Sequence, residues 1–220
     1  MKDLVIFGAG DTAALACLYF ERDLGRRVVA FALDSEHRRE NSFMGRPVLA
    51  FETLAAERPP ASHDLFVALG YSRVNALRAA KARAARALGY TLPSYVSPRA
   101  TTFPDLTHGD NCFILENNVI QPFVTIGNNV TLWSGNHIGH HSAIEDDVFI
   151  ASHAVISGRV RVGQASFIGV NATLRDHITI GARCVIGAGA LLLSDAAPDG
   201  VYMGQATERA RVPSHRLRGI

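Results

Sequence analysis

The hydrophobic positions fall into two regimes that meet near residue 100. Up to about residue 96, short apolar runs alternate with amphipathic stretches. Leu4-Val5-Ile6-Phe7 predicts a buried strand, Ala13 to Leu24 a helix stopped at Gly25, and Val28 to Leu33 a second strand. Leu65 to Leu69 predicts a third strand, Arg73 to Leu88 an Ala/Arg-rich helix stopped by Gly89, and Thr91 to Val96 a fourth strand. This β-α-β order predicts a parallel sheet.

Beyond about residue 105 the pattern becomes a strict sixfold repeat. Every sixth residue from Ile114 to Leu192 is Ile, Leu or Val, fourteen positions without a slip of register. In a chain that is 48% hydrophobic, chance would give such a run about once in 30,000 trials. A period of six suits neither a helix nor a simple strand. It fits a short strand plus a turn wound around a prism, with one aliphatic side chain pointing inward on each face. Four residues further on, small or β-branched residues such as Val124, Val130, Val148, Ala154, Val160, Ser166 and Cys184 can share the interior. Third after the aliphatic in several repeats stand Asn117, Asn129, Gly135, Asp147, Asn171 and Gly189, which tolerate the left-handed backbone of a sharp corner. With three hexads per coil, residues 18 apart stack, and fourteen hexads make about 4.7 coils, roughly 22 Å tall. Residues 97–111 and the tail after Ala197 are candidate caps.

Composition narrows the setting. The 220 residues divide into an α/β domain at 1–96 and a helical prism at 97–220, and the 19% charged fraction fits a folded globular protein. Net charge is +2, giving no electrostatic footprint for nucleic acid. Only Lys2 and Lys81 are lysines among 22 basic residues, an arginine bias that fits source-genome composition. No run is long enough for membrane insertion, and Met1-Lys2-Asp3 leads straight into a strand. Cys17, Cys112 and Cys184 are few, odd in number and widely spaced, which predicts a reduced, cytoplasmic setting.

The repeat resembles the hexapeptide-repeat acyltransferases, which implies a left-handed parallel β-helix. Thr125-Ile126-Gly127-Asn128-Asn129, Arg161-Val162-Gly163 and Thr179-Ile180-Gly181-Ala182 match the family's [LIV]-G-x4 unit. Asp199-Gly200-Val201-Tyr202-Met203-Gly204-Gln205-Ala206 resembles its exit sequence, with Gln205 where Pro or Asn-Pro is common. The order of a small β-α-β domain and then the helix is similar to the sugar acyltransferases of the sialic-acid O-acetyltransferase, bacillosamine-pathway and perosamine N-acetyltransferase group. Phe7-Gly8-Ala9-Gly10-Asp11-Thr12-Ala13 is a strand-to-helix turn of the GxGxx[GA] kind, where a phosphate or sugar can approach bare backbone. About 95 residues hold only half a dinucleotide-binding fold, which argues against an NAD oxidoreductase. The resemblance implies that Gly8, Gly10, Asp34 and the turn Gly70-Tyr71-Ser72-Arg73 line a site for the nucleotide of a nucleotide-linked amino sugar. Tight turns and helix caps alone are the bland alternative.

Acyl transfer from a thioester needs a base and an oxyanion donor, and histidine is the usual base. Asn136-His137-Ile138-Gly139-His140-His141-Ser142 concentrates three of nine histidines. The resemblance places the catalytic base two residues after an inward aliphatic, at His140, and expects a carboxylate next, where this chain has His141. Either another group orients His140, or His141 shares the role, or the acceptor needs little help. His141 also occupies a corner position, as do His153 and His177. The resemblance, carried over coil by coil, implies Gly158, Val170 and Ala188 for acetyl-CoA; Gly158 lies one coil above His140, leaving space beside the imidazole. Arg209, Arg211, Arg216 and Arg218 are candidates for CoA phosphates, or a solvated tail. Trp133 and Phe149 replace polar residues frequent in the group, which points to a different acceptor pocket or to packing between subunits.

No metal is expected. The γ-class carbonic anhydrases share the β-helix, but His141 and His177 lack their third ligand, since Ala182 stands in its place. The resemblance implies a homotrimer with active sites between subunits, and N-acylation of a nucleotide-linked deoxyamino sugar for surface-glycan synthesis. An O-acetyltransferase and a non-catalytic β-helix binding protein are the alternatives.

Overall fold

The computed structural model describes residues 2–209 and 211–216. The front domain begins with β1 (Asp3–Phe7), α1 (Asp11–Leu24) and β2 (Val28–Leu33). It continues through β3 (Ser42–Phe43), β4 (Arg46–Ala50), α2 (Leu54–Glu57), β5 (His63–Val67) and α3 (Ala76–Ala87). The sheet runs β3-β4-β2-β1-β5, parallel except for the β3–β4 hairpin. β5 lies two residues ahead of the run from Leu65 to Leu69. α3 starts three residues later than its composition suggests, because Arg73, Val74 and Asn75 all have positive φ and cannot open a right-handed helix.

The expected fourth strand is a correction. Tyr95–Val96 does not join the front sheet; it pairs in parallel with Phe113–Ile114 and forms the first rung of the prism. Thr107–His108 is likewise a rung, on Thr125–Ile126, and Val201–Tyr202 closes the far end on Val185–Ile186. The segments taken for caps therefore contribute strands.

The prism is a three-faced parallel β-helix with five, seven and five strands per face. Two-residue strands pair at an offset of 18, as Thr125 with Ala143 and Ile126 with Ile144. The seven-strand face makes the stack about 29 Å tall. All fourteen aliphatics of the repeat are buried, none more than 7% exposed, and all belong to one core cluster. All thirteen corner residues from Asn117 to Gly189 have φ between 56° and 80°, including Phe123, Arg159, Ala165 and Arg183, whose side chains gain nothing from that backbone.

The two domains share a core. Phe20, Phe66, Phe113 and Tyr95 pack across the joint, edge to face except for the tilted Tyr95–Phe113 pair. Asn111 hydrogen-bonds both the N–H and the C=O of Val67 on β5, then continues a buried ladder to Asn129 and Asp147. Arg78 of α3 is fully buried and donates to the carbonyls of Asn129, Asp147 and Val148 and to Asn75 Oδ1. Burial pushes its guanidinium down to about 10, still charged at neutral pH.

Candidate active site

The residue two beyond each inward aliphatic stands on one of three edges, and the 18-residue register sorts these positions. His140, Gly158 and Asp176 share one edge, and Ser134, Ser152, Val170 and Ala188 share another.

His140 stands exposed on its edge, held from several sides. Gln121 Oε1 accepts its backbone N–H at 2.9 Å, and its carbonyl accepts from Arg159 N–H at 2.8 Å. Its ring covers Gly158 so closely that a Cβ there would lie 2.8 Å from Cε1 and Nε2. Gly158 is thus the residue that makes room for the imidazole, as its place one coil above implied. His140 Nδ1 lies 3.0 Å from His141 Nδ1, with the rings perpendicular, and the His141 ring packs on Phe123 at 4.6 Å. Partial desolvation, the Arg159 cation and His140 all push the His141 pKa below its ordinary value. A neutral His141 can accept a hydrogen bond from Nδ1–H of His140, which leaves Nε2 of His140 as a free lone pair above Gly158. The His141 ring is thus within hydrogen-bond reach of the His140 ring, a placement the three readings left open by the sequence did not include. Sequence reasoning missed Gln121 and Phe123; the register could have found Phe123, which precedes His141 by one coil of 18, but not Gln121, which lies 19 residues before His140.

The front domain supplies a chamber. Gly8, at φ 128°, lies where a Cβ would meet the Ala68 carbonyl at 2.7 Å, so the β1–α1 turn must be bare. Gly8, Gly10, Thr12, His37 and Gly70 line a cavity of about 460 Å³. A second cavity of about 340 Å³ continues past His37 to Arg39, Glu40 and Phe43. Asp34 lines neither, because its carboxylate is paired with Lys81, whose ammonium also sits over the Phe7 and Phe51 rings. Arg73 is exposed and lines neither chamber.

The remaining predicted residues divide. Val170 and Ala188 occupy a different edge from Gly158, so one chain does not gather these three at His140. Val170 instead joins Thr12, Gly70, Tyr71, Trp133 and Phe149 around a cavity of about 270 Å³. Arg209, Arg211 and Arg216 are exposed, and Arg218 lies outside the described residues. Among the described residues no three His, Cys, Asp or Glu side chains gather as a metal-ligand set, and no helix is long and apolar enough to cross a membrane.

Comparison with known proteins agrees with this architecture. The model of the bacterial transferase hexapeptide family (six repeats) matches residues 105–140, 126–158 and 159–194. No curated protein matches the chain by sequence. Among solved structures, the chain is similar to a histidine variant of perosamine N-acetyltransferase from Caulobacter crescentus, in complex with CoA and GDP-perosamine. That match has 25% identity and a TM-score of 0.85, covering 93% of this chain and 94% of the other. It is also similar to the acetyltransferase domain of PglB from Neisseria gonorrhoeae, with 28% identity, a TM-score of 0.81 and coverage of 93% and 97%. WeeI from Acinetobacter baumannii shares the fold at 15% identity and a TM-score of 0.73, covering 91% and 96%. Two-domain order, unbroken sixfold repeat and these full-length likenesses together mark the chain as an acyltransferase built on a left-handed hexapeptide-repeat β-helix, similar across both domains to perosamine N-acetyltransferase and the PglB acetyltransferase domain.

Proposed function

We propose that this protein transfers an acyl group, acetyl in the simplest case, from acyl-CoA to the amino group of a nucleotide-linked deoxyamino sugar for surface-glycan synthesis in the cytoplasm. The observation that carries this reading is the free Nε2 of His140 above Gly158, with Nδ1 engaged by His141. Two neighbours support the substrates: one holds CoA and GDP-perosamine, and a form of the PglB domain holds acetyl coenzyme A.

In this mechanism the sugar amine attacks the thioester carbonyl as His140 Nε2 takes its proton. The imidazolium keeps its Nδ1–H on the neutral ring of His141, so the charge forms without a change of partner. The backbone N–H of Gly158, for which the described residues offer no acceptor, donates to the developing oxyanion in this reading. Collapse expels the CoA thiolate, which takes a proton, and leaves an amide on the sugar. Gly8, Gly10 and Gly70 give the nucleotide diphosphate bare backbone to approach, with the His37 side of the chamber left for the base. Asp34, paired with Lys81 and lining neither cavity, takes no part in this binding.

The chamber and His140 lie on different edges of one chain, so a complete site requires a second subunit. A threefold assembly that packs the His140 edge against the Val170–Ala188 edge of a neighbour would bring Gly158, Val170 and Ala188 to one acyl-CoA channel. The outward positions Val119, Val155 and Leu191, from 38% to 63% exposed and alternating with His137 and Thr173 along one face, are the apolar points that such a homotrimer would cover. The decisive experiment incubates acetyl-CoA with UDP-, dTDP- and GDP-linked amino sugars and follows thiol release. Turnover with at least one is expected; silence across the panel with CoA bound would favour the O-acyl alternative.

A further inference from the structure

An aromatic shelf lies between the glycine-turn chamber and the prism, and the mechanism above makes no use of it. The Tyr71 ring sits 4.6 Å from Phe167 and 5.1 Å from Phe149. Phe149 and Phe167 stack at 5.8 Å, and Trp133 lies 6.4 Å from Phe149. Phe149 is buried, whereas Tyr71 keeps 55% of its surface in solvent. Holding an exposed tyrosine there costs strain. Arg73, Val74 and Asn75 adopt φ of 53°, 50° and 65° in succession, and a β-branched residue in that region is a steric outlier. The turn is fastened to the prism by Asn75, whose Nδ2 donates to the carbonyls of Ala165 at 2.9 Å and Ser166 at 3.2 Å, and by the buried Arg78 that binds Asn75 Oδ1. Strain of this kind persists only where the surroundings over-determine it.

The space above the shelf defines its occupant. Its roughly 270 Å³ is smaller than a usual whole-ligand pocket, which suits one sugar ring and not a nucleotide. It meets the glycine-turn chamber at Thr12 and Gly70, which line both. No charged side chain lines it, so a diphosphate has no partner there. Resting on the proposed function, the geometry points to Tyr71, Trp133, Phe149 and Phe167 as the acceptor-specificity surface: the rings take the apolar C–H face and C6 methyl of a 6-deoxyamino sugar, while its nucleotide fills the chamber next door.

Trp133 is the only tryptophan, so its emission reports the shelf alone. Titration with nucleotide-linked 6-deoxyamino sugars should shift that emission, while the matching nucleoside diphosphate and CoA should not. Tyr71→Ala should weaken binding and raise KM about 3- to 10-fold with kcat little changed, and Tyr71→Phe should restore both. A 6-hydroxylated sugar should be disfavoured by wild type and less so by Tyr71→Ala. If a nucleotide sugar binds by calorimetry and turns over, yet emission stays fixed and Tyr71→Ala behaves as wild type, the shelf assignment falls and the function stands. Emission that answers to CoA instead would overturn it in favour of the thioester arm. Failure of every nucleotide-linked amino sugar to bind wild type would overturn the proposed function and the shelf assignment with it.

Discussion

The prism and the front domain solve the same problem, burying parallel strands, by opposite means. In the prism each coil repeats the one below, so the environment at residue i recurs at i+18 and a single rule places every inward aliphatic and every corner. In the front domain no environment recurs, and what matters is decided by single contacts such as the Gly8–Ala68 approach or the Asp34–Lys81 pair. The difference teaches where function can be stored. A repetitive scaffold tolerates variation only at its edges, so the chemistry proposed for this protein is placed there, at His140 and Gly158. An aperiodic domain can shape a chamber from single turns.

The joint between the two is where the comparison breaks most easily. Arg78→Ala would leave the carbonyls of Asn129, Asp147 and Val148 without their donor and open a cavity in both cores. A loss of about 3–5 kcal/mol is expected, read as a fall in the chemical-denaturation midpoint. Separate unfolding transitions for the two domains would show the joint to be the only coupling between them; a variant as stable as wild type would show that the buried guanidinium is not holding it.

A smaller effect tests whether the His140 edge behaves as a coupled pair. His141→Ala removes the acceptor for Nδ1–H of His140 and should lower kcat about tenfold with acyl-CoA affinity unchanged, in steady-state assays. His141→Asp, which suits the left-handed corner, supplies a carboxylate. It stabilises the imidazolium, so the acid limb of the kcat/KM profile should move to higher pH. An unmoved limb would mean that residue 141 does not face the base in solution. The smallest effect concerns corners. Ala165 holds φ of 59° with no side-chain compensation, so Ala165→Gly should stabilise the protein by about 0.5–1 kcal/mol in the same denaturation measurement.

Legibility followed the same divide. The fourteen aliphatics and the 18-residue register could be read directly, because periodicity averages over local ambiguity; so could Gly158 beside His140. The front domain gave up only its strongest runs. Tyr95–Val96 was misassigned because a two-residue strand carries no pattern of its own and its partner lies 18 residues ahead. Arg78 looked like one more arginine in an Ala/Arg helix, yet it shares the buried stripe with Ala82 and Ala85 at spacings of four and three, a signal that was present. Asp34 occupied the expected place at the end of β2, but no pattern reveals that Lys81, 47 residues on, claims its carboxylate. The left-handed run at Arg73–Asn75 had no sequence signal, since Val is among the residues least suited to it.

The measurement that bears most directly on the proposed chemistry is the rate of thiol release by His140→Ala, with acetyl-CoA and an accepted amino sugar at saturation. A general base at Nε2 predicts a loss of about 10²- to 10⁴-fold in kcat, with CoA binding intact. A rate near that of wild type would contradict the assignment and remove His140 from the mechanism.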